Sequence, residues 1–320
     1  RSSLNTPDWC KVDAILAASS ACQSQIIHFD DMRYPSLLKE IHDPPLVIFA
    51  KGNIDLLLTP QLAIVGSRSA TSVGREIAHS FAAELVGFGL TVTSGLAIGI
   101  DANAHKGAID GKGPTIAVVA TGLDQVYPSR HKQLASKILH NNGLIVSEFP
   151  PRTPPKAGHF PKRNRIISGL SLGVLVVEAE VRSGSLISAR CAMEQNREVF
   201  AVPSSIRNPQ SKGCHLLIKQ GAKLTESYAD IIEELNFTEE NGLNLKSSNE
   251  CQALEKATIQ TTEKQDLCID PLLASVGYEM TPIDVVVSRS NLPTDVVLTK
   301  LTMLELSGQV TSVPGGYLRL

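Results

Sequence analysis

Aromatic residues are scarce in this chain, making up 4% of its 320 residues, with a single tryptophan. Excess charge is lacking too: 30 Lys and Arg face 32 Asp and Glu, for a formal net charge of −2. A near-neutral chain does not attract polyanions by bulk charge, so such binding would need a local basic cluster. No apolar run approaches the ~20 residues that a membrane-spanning helix requires. No charged-then-apolar leader opens the chain, which begins at Arg1 and which we read as lacking some N-terminal sequence. The six cysteines, Cys10, Cys22, Cys191, Cys214, Cys251 and Cys268, form no C-x-x-C pair and match no zinc spacing. Isolated thiols fit a reducing cytoplasm, and neither a resident metal nor a membrane association is expected. G-x-G-x-x-G and G-x-x-x-x-G-K-[ST] are also missing, so no dinucleotide or nucleoside triphosphate cofactor is expected.

What is present has the balance of a globular protein, 42% apolar and 19% charged, and its length suits one large domain plus a small one. Residues 1–32 are polar and mixed, with a short helical stretch at 12–18, and read as the stub of a further domain. Asp43-Pro44-Pro45 and the apolar run 46–49 exclude a helix and predict an extended lead-in strand. Short Val- and Ile-rich runs then recur at 62–66, 90–94, 115–120, 144–147, 173–178 and 198–202. The first five are each followed by a helix-compatible segment. Runs of this kind suit strands buried on both faces, and strand–helix alternation predicts a parallel sheet. We therefore expect an α/β, Rossmann-like, mostly parallel sheet flanked by helices over 33–235. A helix at 213–220, a strand at 222–225 and a helix at 228–235 would close it. Residues 236–266 lose the periodicity and read as a linker. Over 267–320, helices at 270–276, 282–288 and 294–306 precede two strands at 309–313 and 316–320, the pattern of a winged helix.

Four constellations carry chemistry. The first strand ends in Gly66-Ser67-Arg68 before a helix. This is either an anion site of backbone amides and a guanidinium, or a plain turn. Asp101 and His105, four residues apart, share a helical face; two ligands make a poor metal site, and a local bracing role is favoured. Between Phe149 and Val177 every charged residue is basic, namely Arg152, Lys156, Lys162, Arg163 and Arg165. With Phe160 among them, they suit a single strand whose bases stack while cations track phosphates; the bland alternative is a solvated loop with Phe160 in the core. Finally, Glu178 and Arg182 follow the fifth strand and are expected to form a structural ion pair.

These segments, taken in order, resemble the DNA-processing protein A (DprA/Smf) family. The matching stretches include 34–38, 63–68, 94–101, Gly122-Leu123-Asp124 with Tyr127-Pro128, 160–169, Val177-Glu178-Ala179 with Arg182–Ser185, and 197–203. The resemblance covers about 33–235, and more weakly the C-terminal domain. It implies a homodimer without established catalytic activity that binds single-stranded DNA. It further implies protection of incoming DNA and loading of a RecA-type recombinase in natural transformation. Its DNA pocket would comprise Gly66, Ser67, Arg68, Phe160, Lys162, Arg163, Asn164 and Arg165. The dimer face would include His215, Ile218 and Leu224, with the recombinase contact near Met193. Where the family usually has Pro-Gly-Ser, this chain has Pro203-Ser204-Ser205, which questions that loop's geometry. The expected recognition helix at 294–306 carries Lys300 against Asp295 and Glu305, so the C-terminal domain is expected to contact protein or to assist DNA binding weakly. The alternative is a Rossmann-like nucleotide phosphoribohydrolase similar to the "Lonely guy" enzymes; Arg182-Ser183-Gly184-Ser185 lacks their double glycine.

Overall fold

The computed structural model describes residues 7–235 and, beyond them, 272, 275–277, 280–290, 292–306, 309–313 and 315–319. The chain divides into two compact units, Arg1–Ser247 and Ser248–Leu320. The linker expected at 236–266 and most of the helix expected at 270–276 lie outside the described residues.

The first unit holds a nine-stranded sheet: β1 (Gln25–His28), β2 (Val47–Gly52), β3 (Gln61–Val65), β4 (Thr91–Ser94), β5 (Thr115–Val119), β6 (Leu144–Ser147), β7 (Gly173–Val176), β8 (Glu198–Ala201) and β9 (Lys223–Leu224). Its order is β1-β2-β6-β5-β4-β3-β7-β8-β9. From β6 to β9 every pairing is parallel, while β1 and β2 join antiparallel at one edge. The helices are α1 (Trp9–Ala21), α2 (Ser36–Lys39), α3 (Ser72–Gly87), α4 (Ile100–Asp110), α5 (Lys132–His140), α6 (His159–Gly169), α7 (Ser185–Glu194), α8 (Lys212–Lys219) and α9 (Tyr228–Glu234).

The central strands are buried along their whole length because the sheet is covered on both sides, and most of their side chains are apolar. Along β3, Leu62 and Ile64 enter one core with Phe81 and Leu85 of α3, whereas Ala63 and Val65 enter the other with Ile166 of α6. Val174 and Leu175 of β7 divide in the same way. Alternating side chains thus meet two helical layers, and neither face tolerates charge. One boundary shifts from the sequence reading. Ile26 of β1 pairs with Phe49 of β2, so part of the expected 1–32 stub belongs to the sheet.

In the second unit, α10 (Ile283–Ser290) and α11 (Thr294–Leu306) precede a hairpin of β10 (Val310–Val313) and β11 (Gly316–Arg319). Val286, Val297, Leu301 and Val310 form its core. This helix–helix–hairpin order is the one expected from the sequence.

Candidate nucleic-acid interface

Strand order reverses between β3 and β7, where open α/β sheets place ligands beyond the carboxyl ends of the strands. The loop after β3 is pinned there. The Ser67 amide donates to the Glu178 carbonyl at 2.7 Å, and the Ile100 amide donates to the Ser67 carbonyl at 3.2 Å. Gly66 fits because a Cβ would stand 2.5 Å from Ile100 Cγ1 and 2.9 Å from the Glu178 carbonyl oxygen. The loop therefore turns Arg68 outward, where it is exposed and forms no ion pair among the described residues.

The start of α3 already has an anion, supplied from within. Glu178, 4% exposed, accepts from the Thr71 amide at 2.9 Å and from the Thr71 hydroxyl at 2.6 Å. The same hydroxyl accepts from the Gly74 amide at 3.0 Å and caps the helix. Two expectations change as a result. The Thr71 amide at this helix end donates to the chain's own carboxylate, and Glu178 forms no ion pair with Arg182. The carboxylate satisfies the positive end of the α3 dipole instead.

Below lies a buried polar floor. Asp101 on α4 accepts from the amides of Gly95 at 3.1 Å and Ala97 at 3.3 Å. Burial pushes its carboxyl above the usual range, and the Arg163 charge opposes that shift. Arg163 is 5% exposed, donates to the Val118 carbonyl at 2.9 Å and is brought down to about 10 by burial. A Cβ on Gly95 would fall on the Arg163 guanidinium, so glycine there admits the arginine. His105 is fully buried, its Nδ1 2.7 Å from the Thr115 hydroxyl. That hydroxyl donates to the Val92 carbonyl at 2.7 Å, which makes Nδ1 of His105 the donor. Burial holds the imidazole neutral, down to about 3. Both residues thus have the bracing roles the sequence favoured.

The basic run was read as one cluster, but α6 divides it. Helical spacing turns Phe160, Arg163 and Asn164 to a cavity of about 450 Å³, which Gly66, Ser67 and Arg68 also line. Asn164 donates to the Gly184 carbonyl at 3.2 Å. Arg165 points elsewhere and pairs with Asp43 at 3.1 Å and with Glu148. Lys162 is exposed and outside the lining. On the rim, the Arg68 guanidinium lies 5.3 Å from the centroid of the Phe160 ring, in cation–π range. Tyr127 stands 5.7 Å from that ring on the other contact. It was not among the expected site residues, although its exposure in an aromatic-poor chain is the signal that singles it out.

The residues expected at an interface lie on α7, α8 and β9. His215 donates from Nε2 to the Ser204 carbonyl at 2.9 Å, Ile218 is partly buried, and Leu224 and Met193 are 44% and 43% exposed. Met193 and Leu216 border a second cavity of about 280 Å³. Ser204 is not among the residues with positive φ, so the serine in place of glycine carries no left-handed strain.

Fold and cavity together define an α/β protein that presents a mixed cationic and aromatic surface at a sheet switch point. Residues 25–236 match the model of the family described as DNA recombination-mediator protein A, and residues 256–316 match the DprA winged helix domain. The chain belongs to this family. Protein Smf of Escherichia coli K12 is 47% identical over 297 residues, covering 92% of this chain and 77% of that protein. The solved DNA processing protein A of Streptococcus pneumoniae aligns with TM-score 0.64 and 44% identity, over 68% of this chain and 76% of its own. That of Helicobacter pylori, whose structure is described as giving insight into a unique single-stranded DNA binding mode, aligns with TM-score 0.60 and 30% identity, over 67% and 97%. Among the described residues no helix is long and apolar enough to cross a membrane.

Proposed function

We propose that this chain binds single-stranded DNA at the switch-point cavity with little sequence preference, protects incoming DNA and loads a RecA-type recombinase in natural transformation. The observation that carries the reading is Arg68 over Phe160 at the cavity rim. A guanidinium holds phosphate while a ring stacks bases of any identity. The binding mode described for the Helicobacter pylori relative supports it. Gly66 and Ser67 would let backbone approach the strand, and Lys162 would reach phosphates from outside. Arg163, Asn164 and Arg165 would act through the scaffold, since each is engaged internally. The chain would act in the cytoplasm without catalysing a reaction. Both carboxylate oxygens of Glu178 are held by Thr71, which counts against the phosphoribohydrolase alternative. Inertness toward nucleoside monophosphates is the expected outcome, and base release would favour the enzyme.

The deciding experiment compares single-stranded and duplex oligonucleotides over a salt series. Single strands should bind better, because a duplex hides its base faces. Arg68→Ala should weaken binding about tenfold and flatten the log–log salt slope by about 0.7, the share of one phosphate. Equal affinity for duplex, or an unchanged Arg68→Ala variant, would sink the reading.

His215, Ile218 and Leu224 would form a two-fold dimer face, with Met193 beside it for the recombinase. Ile218→Glu would bury a lone charge in such a face, and light scattering should report a folded monomer. A variant that stays dimeric would remove the assignment.

A further inference from the structure

Tyr127 lies in the loop after β5, outside the cavity lining. It is 44% exposed, and among the described residues only Trp9 shares its standing as an exposed aromatic. Its ring centroid is 5.7 Å from that of Phe160 with the planes at 51°. The Phe160 ring is partly buried and carries the Arg68 guanidinium, so Tyr127 is the more exposed ring of the pair.

The loop that holds Tyr127 is fastened to the loop after β6. Gly122 donates its amide to the Thr153 carbonyl at 3.0 Å, and Gln125 Nε2 donates to the same oxygen at 2.7 Å. The Arg152 amide donates to Asp124 Oδ1 at 2.7 Å. These bonds hold an exposed cation, Arg152, on the segment joined to that of the exposed ring. A ring and a cation on two bonded loops offer what a single strand requires as it leaves a pocket: a surface for the next base, then a partner for the next phosphate.

We propose that Tyr127 is a second base-stacking platform, taking the base beyond the one at Phe160, and that Arg152 receives the phosphate that follows. The proposal rests on the single-stranded DNA reading and extends its track past the cavity mouth. Tyr127 is sequence-tolerant in this role, because every base offers a π-face.

The test uses the full chain with thymidine 5′-monophosphate, which fills a single stacking position, and oligo(dT) of about 16 nucleotides, within the usual span of such sites. Tyr127→Leu keeps apolar bulk against Phe160 but removes the ring. It should bind the long oligonucleotide about tenfold more weakly, bind the mononucleotide as wild type does, and keep the salt slope. Tyr127→Phe should behave as wild type. An iodouracil-substituted long oligonucleotide should photocrosslink to Tyr127 in the unaltered protein, a readout that needs no folded variant. Wild-type affinity of Tyr127→Leu for the long oligonucleotide, or an equal loss for oligonucleotide and mononucleotide, would overturn the proposal; the second result would mean that Tyr127 only supports Phe160. Failure of the wild-type chain to bind any single strand is a separate result, and would overturn the underlying function.

Discussion

Arg163 and Arg68 face the same cavity from opposite situations. Arg163 reaches it from α6, is 5% exposed, and is held by the Val118 carbonyl beside the Asp101 carboxyl. Arg68 reaches it from a loop, is exposed, and rests on an aromatic ring. The floor residue has little freedom to meet a ligand, whereas the rim residue gives up only a weak contact in doing so. Identical side chains therefore divide into scaffold and contact according to the element that carries them.

The comparison breaks most readily at the floor. Arg163→Met removes the hydrogen bond to the Val118 carbonyl and the larger of the two cationic charges that act on buried Asp101, and a buried group left without its partner costs about 1–3 kcal/mol. Urea unfolding should show that loss; a change below about 1 kcal/mol would mean that Asp101 is not compensated by Arg163. The next effect is one of pH. His105 has its folded value lowered to about 3 from 6.5. Its contribution is complete above 6.5 and is lost as pH falls toward 3, because the unfolded chain then takes up a proton that the folded chain refuses. The slope from one such group is at most about 1.4 kcal/mol per pH unit. Asp101, with its raised value, contributes the opposite slope above 3.8. Comparing wild type with His105→Gln in urea at pH 7, 5 and 4 isolates the imidazole, and equal slopes in the two chains would refute its role. The smallest effect on stability belongs to the rim: Arg68→Ala should stay within about 0.5 kcal/mol of wild type while its DNA affinity drops. A large loss of stability there would erase the distinction between floor and rim.

The sheet was legible because both-face burial writes short, mostly apolar runs into β3 to β8, and so was the place of Gly66-Ser67-Arg68 in a strand-to-helix turn. Strand β1 was not, since Gln25-Ile26-Ile27-His28 is four residues long with one buried side chain. The roles within Phe160–Arg165 were not legible either. Composition gave a basic cluster, but helical rotation decides which cation points to the cavity, and the partners of Arg165 lie 17 and 122 residues away. The Thr71–Glu178 contact spans 107 residues, a separation at which adjacency in sequence suggested Arg182 instead.

The missing side chain at Gly95 makes two distant positions a single heritable unit. A side chain at 95 would occupy the volume of the Arg163 guanidinium and crowd Asp101 Oδ2 at 2.7 Å. Replacing the glycine first displaces a held arginine, while replacing the arginine first empties the space it fills and removes a charge that acts on Asp101. Either change alone passes through a damaged protein, so a change at one position waits on the other.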